Sequence, residues 1–199
     1  MLGLLAFKAT DVPTTNIIIN GDFSQGLNRW YGTGGNILLL QNEVSFLSLT
    51  LNGRLQNSVA LTTDNIYFIR ANIKSTSDKV HLGLSGAQTT FHSGSGKYET
   101  LSGTWKSTVT ATGQLRVTDP RVSDWDEIFA KNALVINLTE IFGAGSEPTT
   151  EQMNTLLKQF PNSWFDGTKN IFNAKHMMNV YHKELTKMRN AITAMGGSV

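Results

Sequence analysis

The chain has 199 residues, 40% of them hydrophobic and 16% charged, and 17 basic against 15 acidic side chains leave a formal charge of +2. That length fits one domain, or one with an appendage, and the composition is globular rather than disordered. Absence of cysteine removes disulfide scaffolds, zinc knuckles, thiol catalysis and iron–sulfur clusters, while a near-neutral charge does not by itself imply a polyanionic partner.

Residues 1–15 open with an apolar run, Met1 to Phe7, that has no basic flank and stops at Lys8. It is too short for a secretory signal core. No later run approaches the roughly 20 apolar residues of a membrane helix, so neither a membrane nor signal-dependent export is expected. This segment reads either as a short strand packed on its own domain or as an attachment plug for a partner.

From residue 16 to 142 the chain reads as strand after strand. Candidates are 36–41, 44–51, 55–61, 65–74, 80–85, 98–102, 105–111, 115–118 and 133–138. In 44–51 the face is set by Leu47, Leu49 and Leu51. In 65–74 Tyr67, Ile69, Ala71 and Ile73 share one face, and Arg70, Asn72 and Lys74 the other. Turn punctuation falls at Gly34-Gly35, Asn52-Gly53, Ser77-Asp78, Gly94-Ser95-Gly96 and Thr112-Gly113. Many short strands with no helix between them predict a mainly β fold, an antiparallel β-sandwich of jelly-roll type.

Residues 143–168 change period. Thr149 to Gln152 has the form of a capping box. Met153, Leu156, Leu157 and Phe160 then follow at helical spacing, and Pro161-Asn162 ends the helix. With the aromatic pair Trp164-Phe165 behind it, this stretch reads as a clasp on the sandwich. Residues 169–199 carry the most regular pattern. Ile171, Ala174, Met178, Tyr181, Leu185, Met188, Ile192 and Met195 alternate spacings of three and four, the seam of a coiled-coil helix that buries itself by self-association. A single amphipathic helix lying on the sandwich is the alternative.

Catalysis finds no foothold, and no enzyme is expected. Gly94 to Lys97 lacks the spacing of a phosphate loop and reads as a hairpin loop. Phe142 to Gly145, placed after a strand, has Pro148 where a dinucleotide fingerprint needs its third glycine. No serine sits in a nucleophile elbow, and the histidines are scattered. The densest acidic group, Asp119, Asp124, Asp126 and Glu127, reads as a solvated loop. A glycan-degrading enzyme built on Asp124 or Asp126 is the remote alternative. No metal site is expected beyond a weak structural-calcium candidate at Asp22. Aromatics on a sandwich can stack sugar rings, and the candidates are Trp125, Tyr98, Trp105 and Tyr31, with Trp30 and Trp164 assigned to packing. No basic stripe interleaves with these rings, which argues against nucleic acid.

Two stretches resemble known families. Residues 16–30, with their Asn20-Gly21-Asp22-Phe23 turn and later Trp30, resemble the opening of carbohydrate-binding-module-like jelly rolls. Residues 138–149, followed by Trp164 to Thr168, resemble a segment of tail, baseplate and fibre proteins of bacteriophages and prophages of Gram-positive bacteria. That resemblance implies a non-enzymatic virion protein made in the host cytoplasm and released by lysis. It also implies a homotrimer that contacts other tail, baseplate or neck proteins and host cell-wall polysaccharide. A glycan-binding adhesion module acting as a receptor-binding protein is the alternative.

Overall fold

The alternating segments assemble as strands, and their turns decide which sheet each strand joins. A computed structural model describes residues 11–85, 87–120 and 127–172. Thr14–Lys169 forms one compact unit, and residues 11–13 and 170–172 belong to a second. The strands are β1 (Asp11–Thr15), β2 (Trp30–Thr33), β3 (Gly35–Leu40), β4 (Glu43–Ser48), β5 (Gly53–Leu61), β6 (Ile66–Lys74), β7 (His81–Leu84), β8 (Ala87–Phe91), β9 (Tyr98–Lys106), β10 (Ala111–Asp119), β11 (Glu127–Asn137) and β12 (Thr168–Phe172). Two helices, α1 (Leu138–Phe142) and α2 (Thr150–Leu157), follow β11.

Among the described residues two five-stranded sheets form, in the orders β2-β5-β10-β7-β8 and β3-β4-β11-β6-β9, and β1 pairs with β12. The pairings within the two five-stranded sheets are antiparallel. The expected mainly β, antiparallel sandwich is therefore the observed fold. Its core lies between the sheets and includes Phe46, Leu55, Tyr67, Ile69, Ile73, Leu82, Leu115 and Val135, with Phe23 and Trp30 at one end.

Several local expectations are corrected. The Leu47, Leu49 and Leu51 face is not the buried one: Val44 and Phe46 enter the core, β4 stops at Ser48, and Leu51 is 62% exposed. The amides of Leu49 and Thr50 turn to the Gly34 carbonyl at 2.8 and 3.0 Å, drawing the chain out of the sheet. Segments 98–102 and 105–111 are not two strands, since β9 runs unbroken through Gly103 and residue 111 opens β10. Thr112-Gly113 lies inside β10, where a Cβ on Gly113 would sit 2.3 Å from Leu61 Cδ1 and 2.4 Å from Ser85 Oγ. The Gly94–Lys97 loop joins β8 to β9 across the two sheets and is not a hairpin. Leu138 begins α1 instead of ending a strand, with Asn137 as N-cap, so Gly143 follows a helix.

The first sequence motif works on a bulge in β11. Lys131 pairs with Asn72 and Leu134 with Arg70, so Asn132 and Ala133 together oppose Ala71. The freed polar groups are claimed by the motif. Ala133 N donates to Gly21 O at 2.8 Å, and Ile17 N to Val135 O at 2.8 Å. Asn16 Oδ1 accepts from Ile18 N and Val135 N at 3.1 and 3.0 Å. Its Nδ2 donates to the carbonyls of Phe165 and Ala133 at 3.1 and 3.3 Å. Trp30 Nε1 reaches Asn20 O at 2.9 Å.

The second motif covers half of one sheet's outer face. Phe68, Leu134 and Ile136 point outward from β6 and β11 and are buried, as are Leu138, Met153, Leu157 and Phe165. The capping box forms as the spacing predicts, with Gln152 N donating to Thr149 Oγ1 and Thr149 N to Gln152 Oε1. α2 is tied to β9 by Asn154 Nδ2 donating to Ser102 Oγ at 2.8 Å. Arg70 donates to the carbonyls of Asn162 and Ser163, and burial lowers its pKa. In the heptad seam, Ile171 lies on β12 rather than a helix. Ala174, Met178, Tyr181, Leu185, Met188, Ile192 and Met195 lie outside the described residues, as does the tail 1–10.

Candidate functional site

The clasp leaves the other half of that outer face open, and alternation decides what stands there. On β6 the residues opposite the core-facing Tyr67, Ile69, Ala71 and Ile73 are Arg70, Asn72 and Lys74. Register brings Lys131 beside Asn72, and Phe129 and Tyr98 on either side of Lys74. The face thus presents amides, ammonium groups and aromatic rings on rigid strands rather than on loops.

A cleft of about 910 Å³ opens at the boundary between clasp and sheet. Asn72, Lys131 and Asn132 line it from the sheet, Leu39 to Glu43 from the β3–β4 hairpin, and Asn162 and Trp164 from the clasp, with Asp22 at the Asn20-Gly21 turn. Both flanks are pinned. Trp164 Nε1 donates to Ala133 O at 2.8 Å, and Asn162 O is held by Arg70. The bulge places Asn132, at φ 54°, within the cleft.

Two of its three charged lining groups, Lys131 and Glu43, face each other. Lys131 Nζ lies 3.9 Å from the Tyr98 ring centroid and 3.8 Å from Glu43 Oε2, and Tyr98 Oη donates to Glu43. Burial, then the Glu43 hydrogen bond and charge, push the Tyr98 phenol well above its usual range, so it stays a donor. Next to this cluster Lys74 Nζ sits 4.7 Å over Phe129. Asp22 accepts from Ser24 N and Oγ at 3.1 and 2.8 Å. Both cleft carboxylates are thus engaged as acceptors. Among the described residues no three His, Asp or Glu side chains gather as metal ligands.

Five carboxamides, Gln41, Asn42, Asn72, Asn132 and Asn162, dominate the polar lining. Each carries two donors and an acceptor, which matches vicinal hydroxyls. The Leu39, Leu40 and Trp164 side chains add apolar surface for the C–H face of a sugar ring.

The sequence candidates do not converge. Tyr98 stands at the cleft through Glu43 and Lys131. Trp105 instead lies on the inward side of β9, paired with Tyr67 at 6.4 Å between ring centroids and packed on the core. It is one residue out of phase with the outward set of Tyr98, Thr100 and Ser102. Tyr31 is on the other sheet, 42% exposed. Trp125, Asp124 and Asp126 lie outside the described residues, whereas Asp119 is buried at 3% exposure. Glu43, Lys131, Gln41, Asn42, Asn132 and Asn162 were missed. The polar side of 65–74 signalled the cleft through Asn72, and the calcium candidate Asp22 also lines it.

No protein-family model and no curated protein matches the chain. Solved structures that match include carbohydrate-binding modules. A family 29 module, CBM29-2, complexed with mannohexaose is 17% identical over 64% of this chain and 92% of that one, with a TM-score of 0.48. A CBM4 structure is 10% identical over 60% and 98%, with a TM-score of 0.44. The CBM22-1–GH10 modules of the Clostridium thermocellum endo-1,4-β-D-xylanase 10B, complexed with xylohexaose, are 12% identical over 64% of this chain and 28% of that one, with a TM-score of 0.43. The virion role implied by the sequence motifs finds no support among these matches.

Proposed function

We propose that the chain is a non-catalytic glycan-binding module whose site is the amide-lined cleft between the open sheet face and the clasp. One observation carries this reading: five carboxamides line one groove together with Leu39, Leu40 and Trp164, and its Lys131 is held by Glu43 and the adjacent Tyr98 ring. A preformed concave site with a few fixed polar groups is the usual form of a small-ligand site. A polyhydroxylated, uncharged chain suits it better than an anion, because Lys131 already has the Glu43 carboxylate and Asp22 adds a further negative charge.

The test is titration calorimetry of the full chain with mannohexaose, cellohexaose and xylohexaose as neutral probes. Binding of at least one is expected, weakened tenfold or more by Asn72→Ala and by Lys131→Ala at unchanged melting temperature. No binding of any probe by the unmutated chain at millimolar concentration, or equal binding by both variants, overturns the assignment.

The motifs at 138–149 and 164–168 favour a virion tail, baseplate or fibre as the setting. There, weak sites repeated on a homotrimer would gain avidity of about 10²–10⁴. Sedimentation equilibrium of the full chain checks the copy number: three chains are expected, and a stable monomer overturns the trimer.

A further inference from the structure

The opposite sheet carries a second chemical surface. On β5 the core takes Leu55, Val59 and Leu61, leaving Arg54 and Gln56 on the outer face. On β10 the core takes Leu115 and Val117, leaving Gln114 and Arg116 outside. Register pairs Arg116 with Gln56, and Thr118 with Arg54. Arg54 and Arg116 are therefore diagonal neighbours on one face, with backbones about 7–8 Å apart. Tyr31 pairs with Gln56 from the far side, its ring exposed.

This juxtaposition is unbalanced. Among the described residues neither guanidinium has a carboxylate partner, and the Nε of each is buried without a hydrogen bond. Arg116 Nη2 donates to Gln114 Oε1 at 2.6 Å, and Gln56 Nε2 is turned away to Thr33 Oγ1 at 2.6 Å. Burial first, then the charge of Arg54, lowers the Arg116 pKa. Like charges set side by side on a sheet destabilise it, and a buried N–H without an acceptor is itself unfavourable. An anion arriving from outside relieves the charge repulsion.

We propose that Arg54 and Arg116, with Tyr31 beside them, form a second binding site for an oxyanion carried on a sugar. The group is a uronate carboxylate or a phosphoryl oxygen cluster, since the guanidinium fork matches both. Tyr31 offers the flat ring on which the attached sugar rests. Tyr31, Arg54 and Arg116 stand on three neighbouring strands, so a ligand that meets all three lies across the strands as a polymer would. The formal charge of +2 conceals this pair, because charge summed over the chain says nothing of its local distribution.

The experiment measures dissociation constants of the full chain for hexagalacturonate, a glycerol phosphate hexamer and neutral mannohexaose, at two salt concentrations. At least one anionic probe is expected to bind, and the one that binds identifies carboxylate or phosphate as the source. The Arg54→Gln/Arg116→Gln double variant should weaken it tenfold or more and flatten its salt dependence. Tyr31→Ala, a milder change, should weaken it at least threefold if the double variant melts early. Failure of both anionic probes with the unmutated chain, or unchanged binding by both variants, overturns the site. So does loss of anionic binding in Asn72→Ala, which would place the anion in the cleft. Loss of mannohexaose binding alone bears on the cleft and leaves this site standing.

Discussion

Replacing Asn16 with Ala tests how the first motif holds the fold. The Asn16 side chain makes four hydrogen bonds, at 3.0, 3.1, 3.1 and 3.3 Å, to groups on three separated segments. Removing it strips the acceptor from the Ile18 and Val135 amides, in residues with no solvent exposure. The Ala133 carbonyl keeps Trp164 Nε1, so it is not orphaned, while the Phe165 carbonyl loses the Asn16 donor. Two buried donors at about 1–3 kcal/mol each, less some relief from water entering the vacated space, give a loss of about 3 kcal/mol. For a chain of this size that is a fall in Tm of about 6–12 °C. Urea unfolding followed by fluorescence measures it, with the slope against denaturant expected to stay unchanged. A loss under about 1 kcal/mol would refute the reasoning, since it would mean the amides find other partners.

The companion Asn16→Asp reverses two of these contacts, setting a carboxylate against two carbonyl oxygens. Its pKa in the folded state is then raised above the unfolded value near about 3.9. Its stability deficit should be small below that pH and grow as pH rises through the raised folded pKa. Gly21→Ala should cost about 1–3 kcal/mol by overpacking, because its Cβ would fall 2.1 Å from the Ala133 carbonyl oxygen, which is fixed in the bulge; equilibrium unfolding reads this directly. Hydrogen bonds from the Ser93 and Ser95 hydroxyls and the Ser93 amide hold the Glu99 carboxyl at about 2, down from 4.5. The loop it anchors is therefore most stable above pH 4.5 and loosens as pH falls from there toward about 2. Amide exchange at Ser93 should show that acid-dependent opening, and Glu99→Gln should abolish the pH dependence.

Legibility in the sequence follows the physics of each segment. Residues 69–74 could be read because one parity is apolar and the other polar, so a single burial face satisfies that half of the strand and Asn72 was put on the correct side of the sheet. Phe68, by contrast, is buried on the outer face by the clasp. Residues 44–51 are apolar at both parities, through Val44 and Phe46 and through Leu47, Leu49 and Leu51. Alternation cannot choose between them, and the Gly34 carbonyl does. The 149–152 cap and the 153–157 stripe were readable because helix capping is local. The bulge at 132–133 was not, since its cause lies in residues 16–21 and 164, more than a hundred and some thirty positions away.

Chain pattern alone determined the mainly β class, most of the strands, the capped helix and the packing role of Trp30, all of which depend on near neighbours. Tertiary structure decided the candidate sites. Turns such as Gly34-Gly35 and Asn52-Gly53 pass the chain between sheets, and only then do Glu43, Asn72, Lys131 and Asn162 meet around one cleft, or Arg54 and Arg116 on one face. Each is an ordinary surface residue in its own segment. Their chemistry arises from neighbours that strand pairing supplies, which no local period encodes.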